Sequence, residues 1–195
     1  MDTTLTQNKF LSLLNRPSTI IDIGGGKKQI HANYFRKHGH TVKVNDFFPN
    51  SDYKGKFIDI EFKEKFDAVW CSHCLEHQLD VNIFLKKIHD ITKENGIVGI
   101  TVPPLKHLIV GGHVSLWNAG LLLYNLVLAG FDCSESKIKS YDYNISVILR
   151  KRSIILPQLV FDRGDLVALR NFFPKDLQKD QWGHFDGQIQ QLNWD

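Results

Sequence analysis

The stretch TIIDIGGGKKQ, residues 19–29, constrains this chain more than any other. A short apolar run carries an acid, Asp22, near its end and falls directly into Gly24, Gly25 and Gly26. A buried strand running into consecutive glycines reads as a tight turn that must come close to something. The triphosphate-binding loop needs G-x-x-x-x-G-K-S/T, a spacing absent here. The dinucleotide fingerprint G-x-G-x-x-G is met at Gly24 and Gly26, but Gln29 occupies its third place. An acid just before the turn suits a different ligand, one with a cationic amino group that the glycines allow the backbone to approach.

The rest of the chain supplies the frame for that turn. Leu5 to Leu14 has the apolar spacing of an opening helix, and Ile20 to Ile23 that of a buried strand. A helix is expected from Lys28 to His38 with Gly39 as its stop, then a strand over Thr41 to Asn45. Phe57 to Ile60 reads as a short extended piece and Phe66 to Cys71 as another strand. A helix from Val81 to Lys93 leads through Asn95-Gly96 into a strand over Ile97 to Val102. A helix over Ser115 to Ala129 follows, then two β-rich runs, Cys133 to Tyr141 and Asn144 to Lys151. Strands and helices that alternate and then close on a hairpin predict an α/β fold, a mostly parallel sheet with an antiparallel edge. Residues 1–152 make the main domain; residues 153–195 break the alternation and read as a C-terminal extension packed on it.

Bulk properties exclude several classes. A chain of 195 residues can bury one full core, and a net charge of +3 without a long basic run argues against a nucleic-acid partner. The most apolar stretch, Leu116 to Phe131, is broken by Asn118 and Asn125 and is too short to span a bilayer, so no membrane partner is expected. Three cysteines make no disulfide framework, which by default places the chain in a reducing, cytoplasmic setting. Self-association, if any, is expected as a homodimer.

Asp46 ends the second strand, where an acid hydrogen-bonds ribose hydroxyls in nucleoside-binding sheets. With Asp22 and the glycines, this is an arrangement suited to S-adenosylmethionine. The chain resembles class I S-adenosylmethionine-dependent methyltransferases over roughly residues 18–150. DIGGGK (22–27) resembles the family's D-x-G-x-G motif, with Lys28 where a third glycine is frequent. NDF (45–47) resembles its ribose-binding acid, and DI (59–60) its pair beside the adenine. FDAVWCSHCLEH (66–77), ENGIVGITVPP (94–104) and GHVSLW…LVLAGF (112–131) resemble three further segments in order. The resemblance implies a Rossmann-like, doubly wound sheet and a bound S-adenosylmethionine. Its cofactor contacts would be Asp22, Gly24, Gly25, Gly26, Asp46, Phe47, Asp59, Ile60 and Cys71.

Methyl transfer to oxygen or nitrogen requires the acceptor to lose a proton, work suited to histidine. His113 or His77 is the expected general base, with His107 and His73 as helpers; Glu76 is expected either to orient a neighbouring histidine or to cap the helix that starts near Asp80. Cys71, Cys74 and His77 have a zinc-like spacing, but a structural site needs a fourth ligand and Cys133 is the only other cysteine. No metal is expected there. The tail FFPKDL…FDGQIQQLNW resembles those of small methyltransferases of surface-polysaccharide pathways, which implies a polar small-molecule acceptor such as a sugar or nucleotide-sugar hydroxyl, or an amine. Two other readings stay open at this point: a nicotinamide-dependent oxidoreductase, and a catalytically silent cofactor-binding module.

Overall fold

A computed structural model describes residues 2–178 and 182–195. Eight strands form one sheet in the order β3-β2-β1-β4-β5-β7-β6-β8. The central four are β1 (Thr19–Ile23), β2 (Thr41–Asp46), β4 (Phe66–Ser72) and β5 (Thr92–Val102), all parallel. The short β3 (Tyr53–Lys54) extends the β2 edge in parallel. β7 (Asn144–Arg150) runs antiparallel to β5, followed outward by β6 (Lys137–Tyr141) and β8 (Gln191–Leu192). The chain order reverses between β1 and β4. That reversal opens a crevice at the carboxyl ends of these strands, where ligands of such sheets bind.

Side-chain alternation divides the interior into two cores. From β4, Val69 and Cys71 join the core beneath α3 (Val81–Ile91) and α4 (Ala119–Leu128). Ala68 and Trp70 face the other way, into a core with Phe10 of α1 (Thr4–Ser12) and Phe35 of α2 (Ile30–Lys37). The Phe10, Phe35 and Trp70 rings meet at 5.1–5.3 Å between centroids. Burial on both faces is why these strands read as continuous apolar runs rather than alternating ones.

Four elements differ from expectation, each for a long-range reason. Phe57–Asp59 is a 3-10 turn, closed by Asp59 and Ile60 amides donating to Lys56 and Phe57 carbonyls; Tyr53–Lys54 takes the strand position instead. α3 ends at Ile91 because Thr92 already pairs with Phe66 and the buried Lys151 ammonium caps the His89 and Thr92 carbonyls. α4 starts at Ala119, since the Leu105 amide holds the Trp117 carbonyl in an extended segment and Asn118 caps the helix. Cys133 to Ser136 is a turn, so β6 begins only at Lys137.

The segment after Arg152 folds against the same sheet. Leu169, at the end of α5 (Gly164–Leu169), and Phe173 enter the α3–α4 core, and Trp194 enters the other. The Gly120 amide donates to the Gly187 carbonyl at 3.0 Å, tying the tail to the start of α4.

Candidate active site at the carboxyl edge of the sheet

The glycine turn is held by the end of β2. The Gly24 amide donates to the Asn45 carbonyl at 2.9 Å, and the Gly26 amide to Asp46 Oδ2 at 2.8 Å. Gly24 and Gly26 have φ of +74° and +69°, the left-handed region that glycine enters without penalty. A Cβ on Gly25 would lie 2.6 Å from Val44 Cγ1 and 3.0 Å from Asp22 Oδ2, so the turn presses onto the sheet where no side chain fits.

Asp22 lies under this turn, 1 % exposed, and is absent from the cleft wall. Its Oδ2 accepts from the Ala32 amide at 3.1 Å, while Oδ1 has no partner. Burial pushes the carboxyl up to about 7, against the lowering pull of the Ala32 amide and Arg36. This carboxyl thus lies beneath Gly25 and holds the start of α2 through the Ala32 amide.

The crevice is a cavity of about 360 Å³. Gly24, Asp46, Phe47, Cys74 and His77 line it, together with an apolar set of Phe57, Ile58, Leu79 and Phe84. Phe47 stands 65 % exposed at the rim. Asp46 accepts from the Gly26 amide through Oδ2 and from the Phe47 amide at 2.6 Å through Oδ1, and each oxygen keeps a lone pair for a ligand hydroxyl.

Three further expected contacts lie beside the cavity wall rather than in it. Asp59 and Ile60 fall outside the cavity wall, because the 3-10 turn brings Phe57 and Ile58 there instead. Cys71 is fully buried in the core, in the same cluster as the wall residues Phe57 and Phe84; Cys74, beyond the strand end, lines the cavity itself.

The histidines divide. His77 lines the crevice; its Nδ1 bonds the Gly112 carbonyl at 2.8 Å, and its ring meets that of His113 at 5.0 Å. His113 lines an adjoining cavity of about 180 Å³ together with Lys106 and Tyr143. His73, in a left-handed conformation at φ 51°, bonds Asn144 Oδ1 through Nε2 at 2.9 Å and stacks on Tyr143. His107 is exposed and lines neither cavity.

Glu76, 1 % exposed, lies between His73 and His77 at 3.5 and 3.8 Å. Its carbonyl accepts from the Val114 amide at 2.9 Å, tying the loop that carries His113 to the turn that carries His77. Sequence reasoning missed Lys106, whose ammonium lies 4.1 Å from the centre of the Tyr143 ring, as well as Tyr143 and Asn144. No local pattern marks them. The loop also presents Leu108, Ile109 and Val114 to solvent, more apolar surface than its sequence suggested. A larger cavity of about 890 Å³ opens at the opposite, amino edge of the sheet, between Ile97, Arg150 and Arg152, away from all these groups.

A family model described as a methyltransferase domain matches residues 5–138. The chain belongs to the methyltransferase domain family. That membership sets aside the nicotinamide-dependent oxidoreductase. No curated protein matches this methyltransferase by sequence. Among solved structures, it is similar to 1,6-didemethyltoxoflavin-N1-methyltransferase of Burkholderia thailandensis, determined with S-adenosylhomocysteine. The identity is 19 %, with 78 % of this chain and 80 % of that one covered at a TM-score of 0.63. A TehB-like S-adenosylmethionine-dependent methyltransferase of Corynebacterium glutamicum is 18 % identical, covering 77 % and 89 % at 0.57. A glycopeptide N-methyltransferase complexed with S-adenosylhomocysteine is 10 % identical, covering 78 % and 91 % at 0.60.

The methyl donor is S-adenosylmethionine, and the crevice fits it. Asp46 offers acceptor lone pairs for ribose hydroxyls, Phe57, Ile58 and Leu79 offer a dry wall for a purine, and the glycine turn leaves room for backbone approach. The volume falls within the usual range for a cofactor cleft, about 300–1,000 Å³.

Proposed function

We propose that this methyltransferase transfers a methyl group to a hydroxyl of a polar small molecule, a sugar or nucleotide sugar of the kind used to build surface polysaccharides. One observation carries the reading. The donor crevice and the Lys106–Tyr143 cavity adjoin at His77 and His113, so an acceptor held in the second can reach the first. Lys106, held over the Tyr143 ring, supplies a cation for a phosphate.

When bound, the donor supplies an already activated methyl group. The protein's work is then positional: to hold the acceptor oxygen in line and keep water out. Asp46 and the glycine turn anchor the donor, and the Pro103 to Ser115 loop shapes the acceptor side. The acceptor oxygen arrives where Glu76, His77 and His113 converge and loses its proton there. The free thiols of Cys71, Cys74 and Cys133 suit a reducing, cytoplasmic site of action. Among the described residues no helix is long and apolar enough to cross a membrane. The apolar rim of Leu108, Ile109 and Val114 favours, as a second reading, an acceptor whose sugar carries an apolar group.

Calorimetric titration with S-adenosylhomocysteine, followed by transfer of labelled methyl from the donor to a panel of nucleotide sugars, free sugars and amines, tests this. Micromolar one-to-one binding, weakened at least tenfold by Gly25→Ala, and label on a sugar hydroxyl are the expected results. Label on an amine alone would overturn the acceptor. Binding without transfer to any member of the panel would favour the silent module.

A further inference from the structure

We propose that Glu76, His77 and His113 form a binding site for a divalent transition-metal cation of the zinc class, set between the donor crevice and the acceptor cavity. Candidate ligand atoms of the three residues lie within 4.8 Å of one another. Metal bonds of about 2 Å require that spacing to tighten, with His77 keeping its bond to the Gly112 carbonyl.

The hydrogen bonds around Glu76 carry the argument. A carbonyl oxygen only accepts, so the bond from His77 to the Gly112 carbonyl places the ring proton on Nδ1. In the neutral ring, Nε2 then turns a lone pair toward Glu76 Oε1, 3.8 Å away. His73 is arranged likewise. Asn144 Nδ2 donates to the Asp2 carbonyl at 3.0 Å, which fixes the amide orientation and makes Asn144 Oδ1 the acceptor from His73 Nε2. His73 Nδ1, buried and without a hydrogen-bond partner, therefore faces the same Glu76 Oε1 at 3.5 Å. Two lone pairs directed at one carboxylate oxygen repel unless positive charge lies among them. Glu76 Oε2 is also buried and has no partner. That is an orphaned acceptor on a side chain 1 % exposed, costly unless a ligand completes it.

One cation answers all of these groups at once. A histidine whose far nitrogen donates to a carbonyl is oriented as metal-binding histidines are. Two imidazoles and a carboxylate suit zinc and its neighbours rather than magnesium or calcium. The ligands are not the Cys71–Cys74 pair weighed from the sequence, since Cys71 is in the core. His73 stands behind Glu76 as a further nitrogen. In the active enzyme, a role that rests on the methyl-transfer reading, the cation would hold the acceptor oxygen and favour release of its proton to solvent. His77 and His113 then act as ligands rather than bases.

The untagged chain, stripped with a chelator, is titrated with Co²⁺ followed by visible absorption, and then with competing Zn²⁺. One equivalent with a ligand-field spectrum is expected. His113→Ala and Glu76→Gln should each weaken uptake at least tenfold, while His38→Ala, at the exposed residue just after α2, changes nothing. His113 lies on a surface loop, so His113→Ala keeps the test valid if Glu76→Gln fails to fold. Absence of stoichiometric uptake would overturn the site, leaving protons as the charge between these groups; uptake unaltered by His113→Ala would equally overturn it. S-adenosylhomocysteine binding is read separately. Stoichiometric cobalt with no such binding would sustain the metal site and defeat the donor reading instead.

Discussion

Asp22 shows what one residue contributes before any ligand arrives. Its carboxyl, lifted to about 7 by burial, stays protonated in the fold over a range where a free aspartate, near 3.9, is ionised. The unfolded chain therefore sheds a proton between about pH 4 and pH 7 that the folded chain keeps, and stability declines as pH rises through that window. Below it both states are neutral; above it both are charged and the loss is complete. Asp22→Asn keeps an acceptor for the Ala32 amide and removes the titration. The melting-temperature difference between variant and wild type should move in the variant's favour by a few degrees from about pH 4.5 to about pH 7.5. A difference constant across that range would contradict the raised carboxyl.

At the scale of elements, α4 and the tail depend on each other. Asn118 caps the helix by accepting from the Leu121 amide at 2.7 Å, and Gly187 lies against that cap. A Cβ on Gly187 would sit 2.5 Å from Asn118 Oδ1, and one on Gly120 would sit 2.5 Å from Gly187 Cα. Gly187→Ala should therefore cost about 1–3 kcal/mol, as overpacking does. Limited proteolysis should then cut the C-terminal segment faster than in the wild type, with S-adenosylhomocysteine binding retained because the crevice lies elsewhere. Unchanged cleavage would mean that this contact does not hold the tail. α3 makes a related point. Asp80 caps its start through the Ile83 amide at 3.0 Å, a signal carried by neighbouring residues, whereas its end is capped by Lys151 from a distant strand.

For the whole molecule, the crevice is assembled from four segments that lie far apart in the chain. The glycine turn, the end of β2, the Phe57–Asp59 turn and the Leu75–His77 turn each give one wall. A ligand bound only to the folded state should stabilise it by about 2.7 kcal/mol at a hundredfold excess over its Kd. For a chain of this size that raises the melting temperature by roughly 5–10 °C. Thermal scans with S-adenosylhomocysteine against NAD should show the rise with the first ligand only. A rise with NAD as well would point to a less selective nucleotide cleft.

Much of this architecture was legible in the chain itself, because it rests on local rules. Ile20 to Ile23 and FDAVWC had to be buried strands, and Gly24 and Gly26 had to turn where side chains cannot. Asp46 at a strand end marked one wall of the crevice. Contacts across the fold were not legible, since sheet register and loop packing decide them. Burial in the core took Cys71 and left the wall to Cys74; a 3-10 turn replaced Asp59 and Ile60 with Phe57 and Ile58. The meeting of Glu76, His77 and His113 depends on the Val114 amide reaching the Glu76 carbonyl. Asn144 governs His73 only because β7 lies beside β5. The sequence by itself determined the central strands and helices and the glycine turn between β1 and α2; tertiary structure decided several element ends, the Phe57–Asp59 turn and which polar groups face one another, because hydrogen bonds between distant segments leave no local pattern.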